Sequence, residues 1–110
     1  MDTYETGYYK ICSSTYGNGL FVLGDKSGRI FISSNGTNWT DLGWISYNNT
    51  FNTATYGNGL FVLGNDAGHI WTSPNGTDWT DQGNITGGVA IYGSAYGNGL
   101  FVIGDDFWHI

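Results

Sequence analysis

The side chains best suited to chemistry recur at a single position of the chain, 40 residues apart. Arg29, His69 and His109 occupy this position. Two neighbouring histidines could share a metal ion, but a zinc site takes at least three protein ligands. The chain has two histidines and one cysteine, and Cys12 lies elsewhere in the pattern. We therefore interpret this position as a polar opening of a strand, and we predict no metal site.

Aspartates form the second candidate group, because paired carboxylates can hydrolyse glycosidic bonds. Those near predicted turns are Asp25, Asp66, Asp105 and Asp106. Aspartate is also a common turn former, and a calcium site would need several oxygen ligands from one loop. Cys12 has Asn52 and Tyr92 at the matching positions, so it has no repeated catalytic role. The sequence predicts no catalytic residue, no cofactor and no enzymatic activity.

Aromatic side chains in loops rich in Asn, Asp and Thr favour sugar ligands, because sugar rings stack through apolar faces and hydrogen-bond at their rims. The candidate ligand-binding residues are Trp44, Tyr47, Asn48 and Trp108. Alternatively, these aromatic residues fill a junction between subunits. That alternative is favoured for Trp108, and the two remain balanced for Trp44.

Charge and composition exclude several classes of partner. The 110 residues carry a net charge of −6, and the only fixed cations are Lys10, Lys26 and Arg29. Nucleic acids and anionic membrane surfaces both need clustered cations, so neither is a predicted partner. The first residues lack the basic and apolar regions of a secretory signal. The localisation stays open, and a virion or a bacterial surface is compatible with these features.

An internal repeat of 40 residues must position all of these side chains. The segment Tyr-Gly-Asn-Gly-Leu-Phe-Val-Leu-Gly occupies residues 16–24 and recurs at 56–64. It recurs again at 96–104, with Ile103 in place of the last leucine. We expect one domain over 1–110 and divide it into three repeats. Their approximate bounds are 1–42, 43–82 and 83–110, and the last lacks its outer strand.

Each repeat is predicted to hold four short antiparallel strands. In the first repeat they cover about 10–16, 20–24, 29–33 and 38–42. Asn35-Gly36 is predicted to form a two-residue hairpin, and a loop over 43–50 leads to the next repeat. Four antiparallel strands every 40 residues are typical of a β-propeller blade. The fold class is therefore all-β, with about three propeller blades per chain; a solenoid, the rival fold, would use parallel strands.

Two segments resemble the Asp-box, the Ser-X-Asp-X-Gly-X-X-Trp hairpin of bacterial neuraminidase-type propeller repeats. They are Ser-Ser-Asn-Gly-Thr-Asn-Trp at 33–39 and Ser-Pro-Asn-Gly-Thr-Asp-Trp at 73–79. Asparagine replaces the defining aspartate, and the spacing to glycine is one residue shorter. The resemblance implies a structural role for Ser33, Asn35, Gly36, Trp39, Ser73, Asn75, Gly76 and Trp79. In the family the Asn or Asp side chain ties its turn, and the tryptophan packs between adjacent sheets.

The resemblance implies no catalysis here, since a sialidase needs several arginines and this chain has one. Looser relatives of the repeat occur in bacterial surface proteins, phage tail and fibre proteins and lectins. The resemblance thus favours a non-enzymatic recognition or assembly module of phage or bacterial-surface type. A carbohydrate-binding lectin is the alternative.

Three blades cannot close a propeller ring, since known rings have at least four. We therefore predict a homodimer with six blades under C₂ symmetry, with a nine-bladed trimer as the lesser alternative. Residues 3–7 are predicted to supply the outer strand that the third blade of the neighbouring copy lacks. A fragment of a longer propeller chain is the remaining alternative.

Overall fold

A computed structural model describes residues 10–46 and 48–105, and over these residues the chain is all-β, as predicted. Ten strands form three antiparallel sheets there, in which strands adjacent in sequence are paired. The first sheet holds β1 (Ile11–Gly17), β2 (Leu20–Asp25), β3 (Arg29–Ser33) and β4 (Thr40–Trp44). The second holds β5 (Phe51–Gly57), β6 (Leu60–Asn65), β7 (His69–Ser73) and β8 (Thr80–Asn84). The third holds β9 (Ile91–Gly97) and β10 (Leu100–Asp105).

Each sheet begins with the same tight hairpin. Asn18 and Gly19 join β1 to β2 with φ angles of 51° and 77°. Positive φ at both central residues defines a type I′ turn, whose twist matches that of the flanking strands. Asn58-Gly59 and Asn98-Gly99 repeat these angles to within a few degrees.

The described segments contain no helix long and apolar enough to cross a membrane.

The predicted two-residue hairpin at Asn35-Gly36 is wrong. Only Gly36 has a positive φ there, at 81°, whereas a type I′ turn requires positive φ at both residues. The connection instead runs from Ser33 to Thr40, because the Asn35 side chain binds the backbone of the residues that follow it. The fourth strand accordingly starts at Thr40 rather than at 38.

The fourth strand also ends later than predicted. It continues through a bulge to Trp44, which pairs with Arg29. Gly43 adopts φ 84° at this bulge, and its N–H binds the Asp41 carboxylate at 2.7 Å. A bulge inserts one residue without ending the ladder, so the strand reaches two residues past its predicted end. Trp44 therefore lies at the end of a strand and not in a loop.

The sheets pack on one another through a contact that the chain builds twice. The first strands of the sheets are neighbours in space, with β5 in contact with both β1 and β9. The buried cluster between the first two sheets comprises Val22, Ile30, Phe51, Phe61 and Leu63. The cluster between the second and third sheets comprises Val62, Ile70 and Ile91, with Phe101 and Ile103 packed on it. The second set is the first shifted by 40 residues, so the repeat specifies the packing as well as the strands.

Glycine ends β1 and β5 because a tyrosine ring of the next sheet covers each of them. A Cβ atom at Gly17 would lie 2.1 Å from the Tyr56 ring, and one at Gly57 would lie 2.1 Å from the Tyr96 ring. No side chain fits under those rings. Both glycines are therefore required by the packing between sheets.

Candidate functional site

A hydrogen-bonded turn joins the third and fourth strands of the second sheet, within the segment that resembles the Asp-box. The Ser73 hydroxyl is fully buried and accepts from the Gly76 N–H at 2.7 Å. It donates to Asn75 Oδ1 at 3.1 Å. That amide oxygen in turn accepts from the N–H groups of Thr77 and Asp78, both at 2.9 Å. Ser73 Oγ also accepts from the Asn75 N–H at 3.3 Å, so two short side chains satisfy four backbone donors of the turn.

The equivalent turn of the first sheet has the same bonds. Ser33 Oγ accepts from the Gly36 N–H at 2.8 Å, and Asn35 Oδ1 accepts from two backbone N–H groups at 3.0 and 2.9 Å. Trp39 follows this turn with its ring centroid 6.4 Å from that of Phe21. The corresponding distance from Trp79 to Phe61 is 6.5 Å. Trp79 also packs against the buried cluster between the first two sheets.

We expect Ser33→Ala to destabilise the protein by about 1–2 kcal/mol, because the part-buried N–H groups of Asn35 and Gly36 lose their shared acceptor. The adjacent Ser34 is exposed, so Ser34→Ala provides a matched control. Thermal unfolding of the two variants beside the parent chain measures the difference. Equal melting temperatures for the two variants would show that the Ser33 hydroxyl does not support the turn.

A carboxylate and an amide side chain also bind backbone N–H groups in the turn between the second and third strands of the first two sheets. Asp25 is 1% exposed, and its Oδ1 accepts from the N–H groups of Ser27 and Arg29 at 3.0 and 2.7 Å. Asn65 makes the equivalent bonds to the N–H groups of Ala67 and His69 at 3.0 and 2.9 Å. These contacts are those of turn formers, and they leave the Asp25 carboxylate no access to a substrate.

The recurrent position of Arg29 and His69 faces an aspartate across the third and fourth strands. Arg29 Nη1 binds Asp41 Oδ2 at 2.6 Å, and His69 Nδ1 lies 2.9 Å from Asp81 Oδ1. Burial acts to raise the pKa of Asp81, but hydrogen bonds from His69 and the Gly83 N–H, with the charge of His69, lower it overall. His109 lies outside the described residues. Within those residues, no cluster of three acidic, histidine or cysteine side chains could hold a metal ion.

The predicted sugar-stacking residue Trp44 is 52% exposed. The guanidinium carbon of Arg29 lies 4.1 Å from the centroid of its ring, so a cation covers part of the indole face. Asn48 is exposed and adopts φ 63°, and its N–H donates to the Ser27 carbonyl at 3.0 Å. Tyr47 and Trp108, the other two predicted binding residues, lie outside the described residues.

A polar crevice that the sequence did not predict lies between the loop after β4 and the second sheet. Its volume is about 130 Å³, and it is lined by Ile45, Ser46, Asn49, Asn65, His69, Trp71 and Asp81. The loop after β4 provides the first three of these residues, and the second sheet provides the others. They are scattered along the chain and form no motif. The only sequence signal was a tryptophan at a repeat position where the first copy has Phe31.

Large aromatic or apolar side chains are exposed on both end sheets of the stack. On the first sheet Tyr16 is 56% exposed, and on the third sheet Leu100 and Val102 are 62% and 44% exposed. A shallow depression of about 220 Å³ also lies on the third sheet. It is lined by Gly93, Ser94, Ala95, Val102, Ile103 and Gly104.

Comparison with known proteins identifies a fold but no family. No protein-family model matches the chain, and no curated protein sequence matches it. Among solved structures, the chain is similar to the crystal structure of the computationally designed Ika8 protein, with a TM-score of 0.64 and 17% sequence identity. The match covers 86% of this chain but 30% of that chain. At this identity the likeness concerns the fold alone: an arrangement like these three sheets forms part of a larger folded chain.

Proposed function

We propose that this chain is a set of β-propeller blades that assembles with a second copy of itself into a six-bladed ring, and that it serves as a non-enzymatic recognition and assembly module. One observation carries this proposal. The two outward faces are the separate halves of a contact that the chain already makes twice internally. The second sheet contributes one half of that contact to the first sheet and the other half to the third sheet.

The tyrosine–glycine pair provides the strongest evidence. Tyr56 covers Gly17, and Tyr96 covers Gly57. Tyr16 occupies the same repeat position on the first of the described sheets and is 56% exposed. At the other end, no atom of residues 10–46 or 48–105 lies within 4 Å of the Cβ position of Gly97. Tyr16 of one copy therefore fits over Gly97 of the next, as the two internal pairs do.

A second pair of halves lies at the start of each sheet. The side chains of Phe51 and Ile91 cover Gly24 and Gly64, at 2.6 and 2.7 Å from the respective Cβ positions. The equivalent glycine of the third sheet, Gly104, lines the open depression. Ile11 occupies the position of Phe51 and Ile91 in the first sheet. The depression accordingly suits Ile11 of a second copy.

A third pair involves the turn after the third strand. The Cβ position of Gly76 lies 2.3 Å from a methyl group of Leu20, so the turn of the second sheet packs on the first sheet. At the equivalent turn glycine of the first sheet, Gly36, the one contact from the described residues is a Phe21 ring atom at 3.6 Å. Leu100 is the equivalent of Leu20 and is 62% exposed. These two groups form the third complementary pair.

The hydrophobic effect favours closing this junction. Val22 and Val62 are 0% and 5% exposed inside the two internal contacts, whereas their equivalent Val102 is 44% exposed. Burying a large apolar side chain contributes about 1.5–3 kcal/mol, and the junction would bury several at once. Contiguous apolar surface of this kind is typical of an interaction site.

The junction is head-to-tail, since one copy contributes its first sheet and the other its third. Such contacts form a closed ring when the rotation between copies closes, and otherwise form a filament. Two copies give the six-bladed ring that we propose, and three would give nine blades. The likeness to part of a larger folded chain supports a body that extends past these three sheets. The outer strand proposed to come from residues 3–7 lies outside the described residues.

Native mass spectrometry of the full chain tests the assembly. We expect a species of twice the chain mass of 12.0 kDa. A trimer would keep the junction but replace the six-bladed ring with nine blades. A monomer at every protein concentration would exclude the assembly.

The Asp-box resemblance of the turns supports a structural binding part of phage-appendage or bacterial-surface type. Pull-down of the assembled protein from phage particles or bacterial envelopes tests this role.

A carbohydrate-binding lectin is the second candidate. It is favoured by Trp44, an aromatic residue that is 52% exposed at a strand end. Exposed indole faces are common stacking platforms for apolar sugar faces.

A further inference from the structure

The crevice between the loop after β4 and the second sheet has a buried polar floor. Ser46 and Asn65 are 4% and 1% exposed, and the amide of Asn65 donates to Ser46 Oγ at 2.8 Å. The side-chain oxygen of Asn65, Oδ1, accepts from two backbone N–H groups of its own turn. Ser46 accepts from Asn65 in this bond, so its hydroxyl proton can donate into the crevice. The floor thus offers a fixed donor, with no side-chain ordering needed on binding.

Trp71 forms part of the wall and has a donor that the fold does not use. Its Nε1 is buried and has no hydrogen-bond partner among the residues that the structure describes. The equivalent residue of the first sheet is Phe31, which has no polar atom. A buried donor without an acceptor costs about 1–3 kcal/mol, so an indole here has a cost that phenylalanine avoids. A ligand that accepts this hydrogen bond would offset the cost.

The rim of the crevice provides an acceptor. The side chains of His69 and Asp81 are 34% and 36% exposed, and they contact each other at 2.9 Å. Asp81 is an anion at neutral pH, since its pKa is lowered from its ordinary value of 3.8. Carboxylate oxygens accept from hydroxyl groups, and a negative rim disfavours an anionic ligand. Ile45 adds an apolar surface beside these polar groups.

We propose that this crevice binds one neutral sugar ring, with Trp71 Nε1 and Ser46 Oγ donating to ring hydroxyls and Asp81 accepting from them. The volume of about 130 Å³ suits a single ring. It falls below the ~300–1,000 Å³ of pockets for drug-sized ligands. This inference rests on the lectin candidate and moves its site from Trp44 to the crevice. The crevice lies within one chain, so the site does not depend on the ring.

Nuclear magnetic resonance of the ¹⁵N-labelled full chain tests this site directly. The probes are the methyl glycosides of glucose, galactose, mannose and fucose, with glucuronic acid as the charged comparison. We expect at least one neutral glycoside to shift the indole N–H signal of Trp71 in a saturable way, and glucuronic acid to bind more weakly. Trp71→Phe identifies that signal by its loss, and this variant restores the residue that the first sheet tolerates.

Calorimetric titration of the same glycoside compares two matched variants. Trp71→Phe should weaken binding by about tenfold, the effect of losing one hydrogen bond, while Trp44→Phe should leave it unchanged. Binding lost in Trp44→Phe but kept in Trp71→Phe would exclude the crevice and retain the lectin candidate. Failure of all four neutral glycosides to shift the Trp71 signal would exclude the crevice site, and failure of all four to bind in the titration would exclude a monosaccharide lectin as well.

Discussion

Gly97→Ala is expected to separate the assembled protein into single chains. No described residue of the same chain lies within 4 Å of the Cβ position of Gly97, so the substitution creates no clash with that part of the chain. In the proposed junction the Tyr16 ring of the next copy occupies that space. Overpacking a close contact costs about 1–3 kcal/mol, so each junction should weaken by up to about 100-fold. Native mass spectrometry should show the dimer replaced by a monomer of 12.0 kDa.

Gly93→Ala is the matched control for this experiment. Gly93 is also exposed on the third sheet, but its equivalents are Ser13 and Thr53, so the repeat accepts a side chain at this position. Assembly should persist in Gly93→Ala. A Gly97→Ala protein that remains a dimer would show that Tyr16 does not cover Gly97 at the junction. Circular dichroism of both variants verifies that the sheets are retained.

Gly57→Ala is expected to lower the stability of the folded chain itself. This is the same substitution at the same repeat position, but the Tyr96 ring lies 2.1 Å from the new Cβ atom. The ring would have to leave the second sheet, although its contact with Phe101, at 4.6 Å between centroids, holds it in place. The cost should reach the upper end of the overpacking range, about 3 kcal/mol. The melting temperature should then fall by about 10 °C or more.

A double substitution shows whether the tyrosine ring causes this loss. Tyr96→Ala removes the ring and should cost stability by itself, since it opens the contact with Phe101. Because the clash disappears with the ring, Gly57→Ala should cost little when Tyr96→Ala is already present. Strictly additive effects of the two substitutions would contradict packing of Tyr96 on Gly57. Comparing Gly57→Ala with Gly97→Ala then separates the internal contact from the junction.

The 40-residue repeat and the local chemistry of its turns predicted the fold class and most strands. The third strand has its predicted bounds, Arg29–Ser33, because a short apolar run and the turn residues that flank it are both local signals. The Asn18-Gly19 turn is likewise encoded locally, since few residues other than Asn and Gly accept positive φ. Asn35-Gly36 shows the limit of such signals. The same dipeptide forms a different turn there because the Ser33 hydroxyl, three residues before Gly36, binds its N–H.

The sequence by itself determined the repeat, the all-β class and the pairing within each sheet, because these depend on residues close together along the chain. Only the tertiary structure decided which side chains of different sheets meet. It placed Trp44 beside Arg29 at a strand end, and it built the crevice from a loop and the following sheet. It also left Tyr16 and Gly97 exposed at opposite ends of the stack. Identical segments acquire different roles there because a repeat encodes both halves of a contact, and only neighbouring sheets bring the halves together.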